Sequence, residues 1–213
     1  MLAVFAHPDD EAFGPSGSII QWSREYDIDL VCVTDGARGK NAKEHKSLAE
    51  VRRRELEESA ALLGISTIYF LEFEDGSLCN NNYHDVTSAL QGVADIVKPE
   101  TIITFEPRGI SGHLDHIAVT SIVSFLFTRN HSIKKLLYHV MHTDLREKLP
   151  DYFVFMPPGY HSHQIDLTVN ITDQWQTKKE AILCHTSQKT EASSLLKHME
   201  TSPKKEHFLV VTR

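Results

Sequence analysis

The chain has 213 residues, of which 41% are hydrophobic and 24% are charged, and its formal net charge is −7. This composition is ordinary for a soluble globular protein and predicts one domain spanning residues 1–213, while the acidic surplus argues against a nucleic-acid partner. No apolar run approaches the roughly 20 residues that cross a bilayer, and three dispersed cysteines form no disulfide framework, so a cytoplasmic protein with no membrane span is expected.

Apolar runs alternate with helical periodicities along the chain. In chain order we predict a strand at Met1–Ala6, a helix at Ser18–Tyr26, a strand at Asp29–Thr34, a helix at Ser47–Leu63, a strand at Ser66–Phe70, a helix at Asp85–Val97, a strand at Thr101–Phe105, a helix at His116–Phe127, strands at Lys135–Met141 and Gln164–Asn170, helices at Trp175–His185 and Glu191–Met199, and a strand at His207–Thr212. This spacing predicts an α/β fold with a mostly parallel sheet and helices on both faces. The irregular segment 148–163 is expected to cover a site.

Two clusters of histidine and aspartate follow predicted strands. His-Pro-Asp-Asp-Glu occupies residues 7–11, after the first strand, and Gly-His-Leu-Asp-His occupies residues 112–116, after the fourth. In open α/β sheets, ligands bind beyond the carboxyl ends of the strands, near the point where the strand order reverses. We therefore expect both clusters to face one shared site.

The residue types in these clusters indicate a metal centre. A catalytic zinc ion typically takes three histidine or carboxylate ligands and keeps one position open for water. His7 and Asp10 can converge on one ion if the chain curls after Pro8, and either His116 or His113 would supply the third ligand. Zn²⁺ is our first choice, and Fe²⁺ and Mn²⁺ suit the same set.

The remaining groups of the two clusters suit acid–base roles. Asp9 can accept a proton from a water as general base. His113 can donate to a developing oxyanion or amine, and Asp115 can hold His113 in the required tautomer.

Each cluster also has a purely structural explanation. Asp9 or Asp10 would then only cap a helix, and the two histidines of the second cluster would only begin one. The scattered histidines, among them His45, His139 and His207, are expected on the surface or in the core.

Taken together, these motifs resemble the PIG-L/LmbE-like de-N-acetylases, which include N-acetylglucosaminyl-phosphatidylinositol deacetylase and the deacetylases of mycothiol and bacillithiol synthesis. The similarity extends from Met1 to Gln188. It is carried by residues 6–11 and 112–116, by Thr-Asp-Gly-Ala-Arg-Gly at 34–39, by Arg52 to Leu56 with Leu63-Gly64-Ile65, and by Lys178 to Ala181 with His-Thr-Ser-Gln at 185–188.

The resemblance implies a Rossmann-like fold and a zinc-dependent hydrolase that removes the N-acetyl group from an N-acetylglucosamine conjugate or a similar N-acetylated sugar. A metal-bound water would attack the amide. The implied ligands are His7, Asp10 and His116, with Asp9 as general base, His113 as the oxyanion or acid group, Asp115 as its orienting partner, and Glu11 in support.

Two arginines are candidates for substrate binding. Arg52 matches a helix arginine that contacts polar substrate groups in relatives, and its alternative is an exposed helix position. Pro-Arg-Gly-Ile-Ser at 107–111 stands where relatives more often carry Asp-Gly. Arg108 would therefore add a positive charge at the mouth of the site and shift the substrate preference.

Other function classes stay open or are disfavoured. A metal-dependent amidase or esterase acting on a non-sugar acyl substrate needs the same metal centre but different residues lining the substrate site. A nucleotide-binding module is disfavoured because no Gly-x-Gly-x-x-Gly follows the first strand. The expected partner is a small-molecule N-acetylated sugar, and a homo-oligomer is compatible with the sequence.

Overall fold

A computed structural model describes residues 1–39 and 47–213, so His45 lies outside the described residues. The strands in this part of the chain are β1 (Leu2–Phe5), β2 (Asp29–Thr34), β3 (Thr67–Phe73), β4 (Thr101–Phe105), β5 (Lys135–Val140), β6 (Leu167–Asn170) and β7 (Lys205–Thr212). The helices are α1 (Asp10–Phe13), α2 (Ser16–Trp22), α3 (Leu48–Leu63), α4 (Tyr83–Val97), α5 (Gly109–Gly112), α6 (Leu114–Arg129), α7 (Thr143–Arg146), α8 (Trp175–Cys184) and α9 (Lys189–Glu200).

These strands form one sheet in the order β3-β2-β1-β4-β5-β7-β6. The strands β1 to β5 pair in parallel, and β7 runs antiparallel to both β5 and β6. The strand order reverses between β1 and β4, so the carboxyl ends of these two strands flank the switch point at which such folds bind ligands. The predicted α/β fold with a mostly parallel sheet is confirmed.

The alternation of side chains in β1 divides the core into two layers. Ala3 and Phe5 pack in a layer with residues of α2, α3 and α8, whereas Leu2 and Val4 pack in a second layer with residues of α4 and α6. Successive side chains of a strand point to opposite faces of the sheet. A strand buried on both faces must therefore be apolar throughout, which explains the uninterrupted apolar run at the start of the chain.

Two boundaries differ from prediction in ways that matter for the site. β3 continues to Phe73, three residues past its predicted end, with a register shift against β2 and a positive φ of 58° at Glu72. This extension brings the chain to Asp75 at the carboxyl edge of the sheet. α6 begins at Leu114 rather than His116, because the His113 side chain accepts a hydrogen bond from the Asp115 N–H and caps the helix.

The remaining differences are smaller. The helix predicted at Ser18–Tyr26 is shorter and is preceded by α1, and a 3₁₀ turn at Ser162–Gln164 delays the start of β6. Within the described ranges, no helix combines the length and the apolar character that crossing a bilayer requires.

Candidate metal centre

Three side chains converge where β1 and β4 end. His7 follows β1, Asp10 begins α1, and His116 lies in the first turn of α6. His7 Nδ1 lies 3.1 Å from His116 Nε2, and the Asp10 carboxylate lies 3.2 Å from His116 Nε2 and 3.6 Å from His7 Nδ1. All three side chains are buried. The structure thus brings together the three residues predicted as metal ligands.

Contacts at the far ring nitrogens of His7 and His116 orient the other ring nitrogen of each toward the centre. His116 Nδ1 contacts the Gly109 carbonyl at 3.0 Å, which leaves Nε2 toward the centre. His7 Nε2 contacts the carboxylates of Asp115 at 3.1 Å and Asp75 at 3.2 Å, which leaves Nδ1 toward the centre. Metal-binding histidines are usually held by a carboxylate or a carbonyl on the far ring nitrogen. Both histidines have this arrangement.

The charges around the centre also favour a cation. Burial by itself lowers the pKa of His7, but hydrogen bonds with Asp10, Asp115 and Asp75 raise that pKa well above its ordinary value. Against the opposing effect of burial, the hydrogen bond with His7 lowers the pKa of Asp75 to about 2. Carboxylates that favour a proton on an imidazole also favour a metal ion in its place. The donor set of two imidazole nitrogens and one carboxylate fits a divalent cation such as zinc, iron or manganese.

His113 lies beside the three ligands. Its ring centroid is 4.5 Å from that of His7, and ligand atoms of His7, His113 and His116 lie within 4.8 Å of one another. Burial, and then the nearby His7 and His116, lower the pKa of His113 to about 4. Its Nδ1 accepts the hydrogen bond from the Asp115 N–H, so a neutral ring carries its proton on Nε2. His113 can therefore donate a hydrogen bond.

The Asp115 carboxylate differs from expectation in what it orients. It accepts hydrogen bonds from the Gly76 N–H at 2.7 Å and the Leu78 N–H at 3.1 Å, and it contacts His7. The link from Asp115 to His113 runs through the backbone N–H instead. Asp115 therefore connects the loop after β3 to a ligand of the centre.

Asp9 occupies a strained turn between two ligands. Its φ of 127° is rare for a residue with a side chain. The turn separates its carboxylate, which lies 3.0 Å from Arg52 Nη2, from the carboxylate of Asp10, which contacts His116. Burial raises the pKa of Asp9 to about 6, an effect that the Arg52 charge partly offsets. A carboxylate with that pKa suits a general base near neutral pH.

The two predicted substrate-binding arginines lie in different environments. Arg52 is only 3% exposed, and its guanidinium donates to the carbonyls of Gly36 and Pro8 as well as pairing with Asp9. Arg52 thus holds the turn that carries Asp9, and its contact with substrate stays a prediction.

Arg108 lines a cavity of about 660 Å³ whose walls include His113 and Asp115. Its Nε donates to the buried Glu106 carboxylate at 3.0 Å, and its guanidinium stacks 4.3 Å from the Tyr160 ring centroid. Glu106 compensates much of the predicted positive charge, and the effect of Arg108 on substrate preference stays a prediction.

Some residues of the site were missed from the sequence. Asp75 comes soon after an apolar strand, as the first cluster does, but no role was predicted for it from the sequence. Glu106 directly follows β4 and accepts hydrogen bonds from the Arg108 and Ile110 N–H groups and the Tyr160 hydroxyl. A carboxylate at a strand end was a signal in both cases.

Glu11 holds the Asp9 turn and its surroundings through hydrogen bonds, in line with its expected supporting role. Its carboxylate accepts from the Asp9 N–H at 3.0 Å and the Ser59 hydroxyl at 2.7 Å, and it lies 2.8 Å from His185 Nε2. The helix motif and the C-terminal motif also meet here, because Glu55 accepts from both the N–H and the hydroxyl of Ser187. These motifs build the scaffold under the Asp9 turn.

Comparison with known sequences gives consistent matches. The family model PIG-L, described as GlcNAc-PI de-N-acetylase, matches residues 2–127. A probable N-acetyl-alpha-D-glucosaminyl L-malate deacetylase 2 from Bacillus cereus is 29% identical over 200 residues, covering 90% of this chain and 84% of that protein. A probable N-acetylglucosaminyl-phosphatidylinositol de-N-acetylase from Schizosaccharomyces pombe is 31% identical over 125 residues, covering 55% of this chain and 48% of that protein.

Solved structures share the fold. The N,N'-diacetylchitobiose deacetylase of Pyrococcus horikoshii matches with a TM-score of 0.71 and 28% identity, over 99% of this chain and 83% of that one. GalB, the 4-carboxy-2-hydroxymuconate hydratase of Pseudomonas putida, matches with a TM-score of 0.71 but only 18% identity, over 100% of this chain and 95% of that one. The second likeness concerns the fold alone. The family model covers more than half of the chain, and the chain belongs to the PIG-L family of de-N-acetylases.

Proposed function

We propose that this protein is a metal-dependent deacetylase that removes the N-acetyl group from an N-acetylglucosamine conjugate, with zinc as the first candidate metal. One observation carries the proposal. The ligand atoms of His7, Asp10 and His116 converge within 3.6 Å of one another at the switch point of the sheet, and the separate Asp9 carboxylate stands beside them. The three ligand positions and the base position are all filled.

Relatives support the choice of substrate. The names of the matched proteins give N-acetylglucosaminyl malate, N-acetylglucosaminyl-phosphatidylinositol and N,N'-diacetylchitobiose as what they deacetylate. The shared element of these molecules is an N-acetylglucosamine unit. We infer that the same unit is presented to the centre of this protein.

Each residue of the centre has a place in the reaction. When bound, a divalent cation supplies Lewis-acid chemistry, polarising a carbonyl and lowering the pKa of a water. Asp9 accepts a proton from the attacking water, and its pKa of about 6 keeps it ionised at neutral pH. Arg52 fixes the Asp9 carboxylate at 3.0 Å and limits the pKa rise that burial causes.

The tetrahedral intermediate and the leaving group need donors. His113 carries a proton on Nε2 and donates a hydrogen bond to the developing oxyanion. The amine leaves once Asp9 has returned to it the proton taken from the water, while the neutral His113 acts as a hydrogen-bond donor. With a pKa of about 4, His113 is neutral at neutral pH, although the charge of the Asp115 carboxylate opposes this shift.

A non-sugar acyl substrate is the alternative function. It would use the same centre with different surrounding residues, because the chemistry depends on the site and not on the fold. Amine release from N-acetyl sugars, compared with hydrolysis of N-acyl amino acids and simple esters, separates the two functions.

The test combines metal analysis with an amine-release assay. We expect about one divalent metal ion per chain in the purified protein, and release of free amine from N-acetylglucosamine conjugates that a chelator stops. His116→Ala should lose the metal and the activity, whereas His84→Ala, which replaces an exposed histidine outside the centre, should keep both. A metal-replete protein that releases no amine from any N-acetyl sugar would refute the proposed function.

A further inference from the structure

Exposed apolar side chains are concentrated around the mouth of the site cavity. Among the described residues, twelve large hydrophobic side chains are exposed, and four of them line the cavity of about 660 Å³ that opens over His113. They are Leu114, 74% exposed, and residues 153–155, which we call the strap: Phe153 at 42%, Val154 fully exposed and Phe155 at 68%. Contiguous exposed apolar surface of this kind usually marks a binding site.

The strap is held in place at both ends. Arg146 donates to the carbonyls of Leu149 at 3.2 Å, Met156 at 3.2 Å and Pro157 at 2.9 Å. The side chains of Leu149 and Met156 are buried, so the segments that flank the strap are anchored in the core. The exposed side chains between them are therefore presented by a fixed frame.

The strap also contacts the catalytic cluster directly. The Phe155 carbonyl occupies the space where a side chain of Gly112 would lie, and the Phe153 ring packs edge-on to His113 with 5.0 Å between centroids. A molecule whose amide lies at His113 would therefore extend its other end along the strap.

The charge of the cavity wall argues against an anionic ligand end. Arg108 is the one lysine or arginine among the described residues that line the cavity, and its Nε is bonded to the buried Glu106 carboxylate. The other wall residues near the mouth, Pro107 and Ile117, are apolar like the strap. Apart from His113 and Asp115, the described wall residues therefore offer apolar contact and little free positive charge.

The cavity has room for more than the sugar. Its volume lies within the roughly 300–1,000 Å³ typical of pockets that hold a drug-sized ligand. We propose that the strap and Leu114 form an aglycone subsite, and that the preferred substrate is an N-acetylglucosaminide with an apolar alkyl or aryl aglycone. This inference rests on the proposed deacetylase function and adds the substrate class to it.

The experiment compares aglycones attached to the same sugar. We expect kcat/KM for amine release from hexyl N-acetylglucosaminide to exceed that from the methyl glycoside by about tenfold, since the longer chain buries apolar surface on the strap. Phe155→Ser and Val154→Ser should each reduce this ratio several-fold. Ile96→Ser, which removes an equally exposed apolar side chain from α4, should leave the ratio unchanged.

Several outcomes would overturn the subsite. The first is a hexyl-to-methyl ratio of kcat/KM near one. The second is a ratio that both serine variants retain, and the third is faster turnover of a malyl conjugate than of the hexyl glycoside. If the strap instead joins two copies of the chain, the serine variants lower the mass measured by sedimentation and leave the ratio unchanged, which also overturns it.

A binding measurement separates this inference from the proposed function. Calorimetry with hexyl and methyl glucosaminide, which carry no acetyl group, reports the subsite without turnover. If no acetylated glycoside is hydrolysed but the hexyl glycoside still binds about tenfold more tightly than the methyl one, the proposed function fails and the apolar subsite stands. Equal binding of the two glycosides would overturn the subsite.

Discussion

Two groups of buried charged side chains lie at opposite ends of α1. At its start, Asp10 joins His7 and His116, and ring nitrogens and carboxylate oxygens face one another. Past its end, Lys178 Nζ lies 2.7 Å from the Glu206 carboxylate and donates to the Gly14 carbonyl at 2.6 Å. Both groups are buried as deeply as the hydrophobic core.

The difference between the two groups is their balance of donors and acceptors. Glu206 accepts from Lys178 and from the N–H groups of Gly17 and Ser18, so one positive and one negative charge are satisfied within the protein. In the other group, three carboxylates lie within 3.6 Å of the His7 ring nitrogens, which is a surplus of acceptors. Removing one partner of a balanced buried pair is costly because the other charge is left uncompensated, whereas a surplus of acceptors favours binding of a cation.

The largest expected effect comes from Asp9, which belongs to the unbalanced group without being a ligand. Asp9→Ala should lower kcat for amine release by about 10³-fold, because positioned proton transfer contributes roughly 10²–10⁴-fold. Its metal content should equal that of the wild type by elemental analysis. Asp173→Ala, an exposed aspartate, is the control. Full turnover by a metal-replete Asp9→Ala protein would contradict the base assignment.

A large effect on stability is expected at the balanced pair. Lys178→Met leaves Glu206 buried without its partner, and should lower the free energy of unfolding by about 3–5 kcal/mol. The double variant with Glu206→Gln should recover part of this loss, since the amide is neutral and still accepts a hydrogen bond. Urea denaturation measures both. If Lys178→Met is as stable as the wild type, the pair does not hold the structure as described.

Metal addition should stabilise the protein through the group of His7, Asp10 and His116, and not through the Lys178–Glu206 pair. With free metal at about 100 times its dissociation constant, the free energy of unfolding should rise by about 2.7 kcal/mol relative to the chelated protein. His116→Ala should abolish this rise, and Lys178→Met should retain it on its lower baseline. If the free energy of unfolding of His116→Ala rises by the same amount on metal addition, the ion binds at another site.

The smallest effect concerns His139, whose ring lies 5.5 Å from that of Phe208 and whose Nδ1 has no partner among the described residues. Burial lowers the pKa of His139 from 6.5 to about 3. The folded state then binds fewer protons than the unfolded state between these values, so stability falls as the pH falls through this window, by at most about 1.4 kcal/mol per pH unit.

His139→Leu should remove this contribution. The variant should lose less stability than the wild type between pH 6 and pH 4, as measured by denaturation at each pH. Parallel pH dependences of the two proteins would show that His139 is not held neutral by the fold.

The sequence predicted those parts of the site that depend on local order. The grouping of His7, Asp10 and His116 could be predicted because their two clusters follow β1 and β4 along the chain, and strand ends of a parallel sheet meet at one edge. The contact of Asp75 with His7 could not be predicted, because it depends on the extension of β3 and on its register against β2. The same applies to Asp115, whose carboxylate orients His7 rather than His113.

Burial was the other quantity that the sequence did not predict. Arg52 was expected to reach substrate or solvent, but its three acceptors lie in two segments, at Pro8 and Asp9 and at Gly36, that only the fold brings together. The strap lies in segment 148–163, whose irregular composition predicted a covering loop. Which of its apolar residues are exposed depends on where Arg146 anchors its ends.

The positive φ at Asp9 lowers the stability of the turn that carries the Asp9 carboxylate. A φ of 127° suits glycine, and a side-chain-bearing residue held there costs of order 1–3 kcal/mol. Glycine at position 9 would relax the turn but would remove the carboxylate that pairs with Arg52 and that we propose as general base. Selection for thermal stability alone would therefore favour glycine at this position. Under the proposed role of Asp9, aspartate lowers the stability of the protein but serves its activity.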